Sequence, residues 1–334
     1  MTMSTTPRLR YEGREIPIEE GETALSACAR AGIVIPSSCL SGACQSCLVR
    51  ARSGEIPAAA QVGLGPAKKA LGCLLACLCR PTGALELEAM DASSEYKATI
   101  AAVERLAPTI VRVRLRMNDE MSYRPGQFVT LLRADGLARA YSIASLPSEA
   151  TIELHVREVR GGQMSGWLGD PARVGEAVRL RGPAGECFFT SEALSRPLVM
   201  VGVGTGLAPL WGIVRDALAQ GHAGPITLMH GARVIEDLYL RGPLTALAAA
   251  HPALDLRLCA LQGEGDAAVT IGEIDALAKA TVAAMPGRAS ARAFVCGDPA
   301  MVARLKKGLF LAGLSLREIV GDAFVEGPRP VAAL

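Results

Sequence analysis

Cys39-Leu40-Ser41-Gly42-Ala43-Cys44-Gln45-Ser46-Cys47 places three cysteines and four small residues in nine positions, and its reading decides the N-terminal part of the chain. Cys77 follows after twenty-nine intervening residues. Four thiolates are what a [2Fe-2S] cluster takes, here three from one loop and one from a distant segment. The small residues let backbone amides approach the sulfurs, where hydrogen bonds tune the potential. A Cys-x2-Cys pair such as Cys44 and Cys47 is also half of a zinc site, but no second pair has ribbon-type spacing and the chain has only four His. Cys73 and Cys79 flank Cys77, and along a strand all three would share a face, so periodicity leaves the fourth ligand open.

Seven of the ten cysteines, Cys28 among them, fall within the first 79 residues, which points to a metal or cluster site rather than a disulfide framework. The residues after Met1 lack the apolar core of a secretory signal, so the expectation is a cytoplasmic protein. A chain of 334 residues suggests two or three domains, and one that is half hydrophobic and one-fifth charged can bury real cores. With 35 Lys and Arg against 33 Asp and Glu, no charge surplus drives binding to nucleic acid or a membrane surface. Two Trp, five Tyr and six Phe are too few for single-strand stacking platforms. The uncharged run 198–214 is nearly long enough to span a bilayer, but Gly202, Gly204, Gly206, Pro209 and Gly212 make it a strand, a glycine turn and a helix start.

Three segments follow. Residues 8–88 read as short strands (8–11, 15–17), a helix (23–31), the cysteine loop, a strand (48–52) and an apolar stretch (71–78). Residues 90–94 are small and polar and are expected to be a linker. Residues 96–195 read as all-β. Val111, Val113 and Leu115 alternate with Arg112, Arg114 and Arg116, which predicts an apolar inner face and a solvated arginine face. Further strands at 128–132, 140–143, 152–158 and 177–181 suggest a small barrel. After Pro197, strands at 198–203, 226–230, 254–258 and 293–296 alternate with helices at 208–219, 243–250, 274–280 and 300–312, an α/β nucleotide-binding layout.

Several stretches of these segments carry resemblances. The cysteine spacing resembles that of plant-type ferredoxins, and Gly72 to Thr82 looks like that family's final-ligand stretch, with Gly five before the ligand and Pro four after, which selects Cys77. Cys28, Cys73 and Cys79 are then packing residues. Arg139-Ala140-Tyr141-Ser142, preceded by Arg124-Pro125-Gly126-Gln127-Phe128, resembles the flavin motif of the ferredoxin–NADP reductase superfamily. In that role Arg139 neutralises a pyrophosphate, Tyr141 stacks on the isoalloxazine and the Ser142 hydroxyl lies near the flavin nitrogen that receives hydride. His155-Val156-Arg157 ends a strand where the family lines the flavin, and Gly161-Gly162-Gln163-Met164-Ser165 starts a short helix, with Ser165 expected as its N-cap and free amides for a phosphate.

Gly202-Val203-Gly204-Thr205-Gly206-Leu207-Ala208-Pro209 fails the Rossmann test because Leu207 takes the third glycine's place. Read as Gly-Thr-Gly-x-Ala-Pro, it resembles the superfamily's pyridine-nucleotide loop, with close backbone approach expected at Gly204 and Gly206. Cys296-Gly297-Asp298-Pro299-Ala300-Met301 is similar to its Cys-Gly-x-Pro-x-Met motif, whose cysteine lies beside the reacting nicotinamide carbon. Asp322-Ala323-Phe324 resembles the terminal segment that covers the flavin face in relatives, which makes Phe324 a candidate alongside Ser142 and Cys296 for the hydride site.

Together the chain resembles the one-chain reductase components of bacterial ring-hydroxylating and related oxygenases. That resemblance implies an α+β ferredoxin domain of the β-grasp type (1–92), an all-β FAD-binding Greek-key barrel (93–195) and an α/β parallel-sheet nucleotide-binding domain (196–334). It implies a [2Fe-2S] cluster, FAD and NADH or NADPH, with a terminal oxygenase as protein acceptor and no nucleic-acid or membrane partner. A reductase feeding a deoxysugar dehydratase has the same layout. A redox-sensing regulator would need an output segment, and none is left over. Arg233 follows the second strand of the last segment, where an arginine could hold a 2′-phosphate that the nearby Glu236 and Asp237 would repel; the resemblance implies NADH, which related oxygenase reductases commonly use.

Overall fold

The computed structural model describes residues 7–90, 95–264 and 266–325, so the centre of the expected linker, 91–94, lies outside the described residues. The first unit contains β1 (Arg8–Tyr11), β2 (Arg14–Pro17), α1 (Ala24–Arg30), β3 (Leu48–Gly54), α2 (Pro66–Ala70), β4 (Cys73–Leu75) and β5 (Ala84–Ala89). Glu12 and Gly13, both at positive φ, make the two-residue turn that suits a right-twisted hairpin. Hydrogen bonding orders the sheet β2-β1-β5-β3-β4, with β1 and β5 parallel and the other pairs antiparallel. Helix α1 starts where the Thr23 hydroxyl accepts from the Ser26 amide and buries Ala24, Leu25, Ala27 and Cys28 in the core shared with Leu9, Leu74 and Leu87. The apolar stretch 71–78 is not one element. The strand stops at Leu75 and the chain turns through 76–78, so Cys73 lies on β4 while Cys77 lies on the turn and Cys79 just after it, all three in the buried core.

The second unit contains β6 (Glu95–Ala107), β7 (Ile110–Met117), β8 (Phe128–Leu132), β9 (Ala138–Ser142), β10 (Ile152–Arg157), α3 (Gln163–Leu168) and β11 (Ala177–Ala184). All pairs in the order β10-β7-β6-β11-β8-β9 are antiparallel, and a bridge from Ile143 to Leu154 joins the two ends into a barrel. Val111, Val113 and Leu115 fill its interior as the alternation requires. The opposite face is not simply solvated. Arg112 is 16 % exposed and pairs with Glu104 at 3.1 Å and Glu153 at 3.3 Å, because β10 brings Glu153 and His155 alongside. Arg116 alone of the three is fully exposed.

The third unit contains β12 (Leu198–Val203), α4 (Leu207–Ala219), β13 (Ile226–Val234), α5 (Arg241–Ala250), β14 (Leu254–Gln262), β15 (Val269–Ile271), α6 (Ile274–Ala284), β16 (Arg292–Gly297), α7 (Pro299–Leu311) and β17 (Ile319–Ala323). Every strand pair is parallel, in the order β15-β14-β13-β12-β16-β17. The two edge strands β15 and β17 escape a hydropathy reading, since one has three residues and the other contains Gly321 and Asp322. From β12 the chain builds outward one way through β13 to β15 and then the other way through β16 and β17. That reversal opens a crevice at the carboxyl ends of β12 and β16, the place where open α/β sheets bind ligands. Among the described residues no helix is long and apolar enough to cross a membrane.

Candidate functional site

The cysteine loop is shaped by three left-handed residues, Leu40 (φ 55°), Gly42 (φ 84°) and Gln45 (φ 54°). Turning the backbone at these positions aims successive amides at sulfur. The Ser41 and Cys44 amides donate to Cys39 Sγ at 3.4 and 3.3 Å, and the Cys39 amide donates to Cys44 Sγ at 3.4 Å. Gly42 is required by its φ of 84°; a Cβ there would also meet the tip of the Leu78 side chain, which can turn aside. The four thiols fall into two pairs. A hydrogen bond from the Cys44 thiol, with the Ser41 and Cys44 amides behind it, holds Cys39 down to about 4. A hydrogen bond from the Cys47 thiol, joined by the Gly42 amide, lowers Cys77 in the same way. Two pairs of thiols with amides aimed at them fit the donor set of a two-iron cluster. Among the described residues no group of three or more ligating side chains is placed to hold a single metal ion.

Cys28 and Cys79 lie outside these pairs. Burial in the apolar core pushes their thiols up, to about 11 and about 12. Cys73 lies in that core too, 4.0 Å from the Met90 sulfur.

The second centre forms where the barrel meets the parallel sheet. Ser142 at the end of β9 donates its Oγ to Asp322 Oδ2 on β17 at 3.1 Å, across 180 residues of sequence. Burial pushes the Asp322 carboxyl up to about 6. Asp322 is the register partner of Cys296 on β16. The Phe324 amide donates to the Gly297 carbonyl at 2.8 Å, and its ring packs on the core of the third unit. The turn from β12 into α4 uses Gly204 and Gly206, and a Cβ on Gly206 would stand 2.0 Å from the Cys296 carbonyl. Gly204, at φ +55°, faces open space, so the close approach expected of both glycines is to protein at Gly206 and leaves room for a ligand at Gly204. Cys296 is fully buried with its Sγ 3.6 Å from Cys187 Sγ of the barrel segment, and burial holds its thiol well above the usual range. Arg139 and Tyr141 stand two apart on β9, both half-buried. A guanidinium, an aromatic ring and a hydroxyl tied to a carboxyl are chemically suited to a flavin dinucleotide.

Behind this seam runs a buried polar chain. Neutral His155 donates from Nε2 to Glu153 at 2.8 Å and accepts at Nδ1 from the Tyr239 hydroxyl at 3.0 Å. Tyr239 belongs to the third unit and meets the rings of His155 and His230 edge-on. Burial pushes His155 down and takes His230 down to about 4, so both stay uncharged near neutrality. Glu153 would be raised by burial, but its hydrogen bond with His155 and the charges of Arg112 and Arg114 keep it low.

The remaining expected positions differ in kind. Ser165 is not the N-cap of α3; Gly162 is. The Ser165 hydroxyl turns back to accept from the Val159 amide at 3.1 Å, so the first-turn amides of Gln163 and Met164 have no side-chain cap. Val156 faces the barrel core, while Arg157 is exposed. In the segment from Cys296 to Met301, Asp298 caps α7 by accepting from the Ala300 and Met301 amides at 2.9 and 3.2 Å, Pro299 opens the helix, and Met301 packs on the core. Arg233 is exposed at the end of β13 and makes no ion pair among the described residues. Sequence reading missed Tyr239 and Glu153, and it quoted Asp322 without the Ser142 bond; a lone acid or tyrosine gives no signal until its partner is placed.

Three family models match in order: a 2Fe-2S iron-sulfur cluster binding domain over 9–82, an oxidoreductase FAD-binding domain over 97–189 and an oxidoreductase NAD-binding domain over 200–307. Fold and site thus define an NAD(P)H-dependent iron–sulfur flavoprotein oxidoreductase. The chain is 34 % identical over 327 residues, 96 % of its length and 98 % of the relative's, to the ferredoxin–NAD(P)+ reductase component of the naphthalene 1,2-dioxygenase system of Pseudomonas putida. It is also 34 % identical to the reductase subunit of an aromatic O-demethylase of Amycolatopsis, covering 93 % of this chain and 96 % of that one. A crystal structure of an Amycolatopsis cytochrome P-450 reductase superposes with a TM-score of 0.68 at 33 % identity, over 96 % of this chain and 99 % of that one. The chain belongs to the family of one-chain reductase components of multi-component oxygenase systems, which pass electrons from NAD(P)H to a protein acceptor.

Proposed function

We propose that the acceptor of this chain is a terminal oxygenase component and that NADH is its donor. The observation that carries the electron-transfer reading is the meeting of Ser142 from the barrel with Asp322 and Cys296 from the parallel sheet, at the crevice where the strand order reverses. When bound, FAD takes a two-electron hydride from the nicotinamide and gives up single electrons to the [2Fe-2S] cluster, an exchange those two partners cannot make directly. Cys39, Cys44, Cys47 and Cys77 are the proposed cluster ligands. Arg139 neutralises the flavin pyrophosphate, Tyr141 presents its ring to the isoalloxazine, and the exposed Arg157, at the strand end after His155 and Val156, reaches toward the same cofactor. Gly162 to Ser165 supply backbone amides. Ser142 holds a hydrogen bond to Asp322, whose carboxyl keeps a proton up to about pH 6. Gly204, Thr205 and Gly206 offer their backbone to the nicotinamide dinucleotide's pyrophosphate, with Cys296 and Gly297 beside the reacting ring and Phe324 over the flavin. Pro299 and Met301 shape the start of α7 beneath it. Glu236 and Asp237 follow Arg233 within one turn and repel a 2′-phosphate, which favours NADH. No two of the ten cysteines are joined in a disulfide, in keeping with a cytoplasmic protein.

The division at 1–92, 93–195 and 196–334 provides the test. A chain beginning at Glu95 should bind FAD and reduce ferricyanide with NADH near the intact rate, because a small oxidant draws electrons from flavin. Transfer to cytochrome c and to a reconstituted oxygenase should collapse. Oxygenase turnover by the shortened chain at the intact rate would overturn the proposed electron order, and turnover of a dehydratase but of no oxygenase would overturn the acceptor.

A further inference from the structure

On β8 the side chains of Val129 and Leu131 point into the barrel, so Thr130 and Leu132 belong on its outer face. Yet Thr130 is only 3 % exposed and Leu132 1 %. The cover at Thr130 is the cysteine loop itself: the Thr130 hydroxyl donates to the Cys44 carbonyl at 3.1 Å. Arg181, directly across from Thr130 on β11, donates Nη1 to the Ser46 carbonyl at 3.1 Å. Glu95, across from Arg181 on β6, accepts from its Nε at 2.8 Å and fixes the guanidinium. On the other side of Thr130 its register partner is Ala140, between Arg139 and Tyr141. One row across four strands, Glu95, Arg181, Thr130 and Ala140, thus runs from a half-buried ion pair through two hydrogen bonds to the loop and on to the proposed flavin strand. The last step is one strand spacing, about 4.8 Å.

Resting on the flavin and cluster assignment above, we propose that Thr130 and Arg181 are positioning residues for flavin-to-cluster electron transfer. They clamp the loop at Cys44 and Ser46 so that single electrons leave the flavin across β8. In each step the reduced flavin is oxidised by one electron and the cluster is reduced by one. After two steps, with the cluster discharged to the acceptor between them, both electrons of the hydride have left singly and its proton goes to solvent. The Ser46 hydroxyl, 2.6 Å from Cys44 Sγ, ties the clamped carbonyl's neighbour to a ligand sulfur. The Arg181 guanidinium shares its charge with Glu95 but reaches the Ser46 carbonyl, one peptide from Cys47, and the positive charge it keeps there favours a centre that gains negative charge on reduction.

Full-length Thr130→Val, which keeps the β-branched shape, Thr130→Ser and Arg181→Gln test this. In rapid mixing with NADH, Thr130→Val should slow cluster reduction about tenfold while flavin reduction and ferricyanide turnover stay at the wild-type rate, and Thr130→Ser should restore the rate. In an EPR-monitored redox titration, Arg181→Gln should lower the cluster potential enough to shift the flavin–cluster electron distribution about threefold toward flavin. A wild-type cluster-reduction rate in Thr130→Val, with an unshifted potential in Arg181→Gln, overturns the proposal. So does a parallel fall in ferricyanide turnover, or a serine variant that behaves like valine. A wild-type protein without an NADH-reducible cluster signal would overturn the underlying assignment instead.

Discussion

The cysteine loop and the hydride seam do related chemistry but are built in opposite ways. Three of the four clustered thiols lie within nine residues, and left-handed turns at Leu40, Gly42 and Gln45 aim the amides locally. The seam instead needs two sheets in place, since Ser142 meets Asp322 across 180 residues. A local site is sensitive to the identity of each ligand. A seam is sensitive to the packing and protonation of groups that have no partner in the unfolded chain.

The largest effect expected on this contrast is at the loop. Cys77→Ser should remove the cluster, so that purified protein loses its ~2 irons per chain. Cys79→Ser should keep the iron and instead lose roughly 1–3 kcal/mol of stability, because a hydroxyl replaces a thiol deep in an apolar core. Iron analysis beside urea unfolding distinguishes the two, and loss of iron from the second variant with retention in the first would show that the ligand assignment is reversed.

At the seam, Ser142→Ala should slow hydride transfer about tenfold, the effect of losing the ~1.4 kcal/mol hydrogen bond that holds Asp322. Cys296→Ala should slow every acceptor alike, ferricyanide included, since it acts before electrons divide. Single-turnover flavin reduction by NADH measures both, and a defect confined to large acceptors would move these residues out of the hydride site.

Asp322 gives a pH signature that the loop lacks. Its carboxyl titrates near 6 in the folded chain against about 3.9 unfolded. The folded state therefore binds the proton more tightly, and the stability this contributes is complete below pH ~4 and lost as pH rises to about 6. Asp322→Asn does not titrate, so urea unfolding of the apoprotein should show wild type losing on the order of 3 kcal/mol relative to the variant across that window. Parallel pH profiles for the two proteins would place Asp322 in water rather than in the seam.

Behind the seam, Tyr239→Phe removes the donor to His155 Nδ1 and leaves a buried acceptor unpaired. A loss of roughly 1–3 kcal/mol is expected with little change in flavin reduction. Differential scanning calorimetry with stopped-flow kinetics checks both halves. The smallest effect is at the exposed Arg233. Its replacement by Ala should change kcat/KM for NADH by less than about fivefold. A wild-type preference for NADPH that the substitution abolishes would show that Arg233 outweighs Glu236 and Asp237.

Much of this was legible in the amino-acid order. The strand–glycine–helix reading of 198–214 holds because Gly204 and Gly206 interrupt an apolar run at the point where β12 gives way to α4. The alternation around Val113 located β7 and its core face. Misreadings arose where a side chain had a choice of partners. Ser165 has the composition of an N-cap but bonds back to Val159, because Gly162 already starts the helix. Arg112 looks like a solvated residue until Glu153 on the neighbouring strand pairs with it.

The order of three units, the cysteine spacing and the motif strands were determined by the sequence itself, since hydropathy period, turn residues and ligand spacing are local properties of a chain. Which thiols pair, that burial beside Ser142 raises the Asp322 carboxyl, and that Thr130 on a barrel's outer face is buried under a cluster loop were decided by tertiary structure. Each depends on groups far apart in the chain being brought within hydrogen-bond reach and out of water, and desolvation at such contacts is a property of the folded packing that no stretch of sequence carries alone.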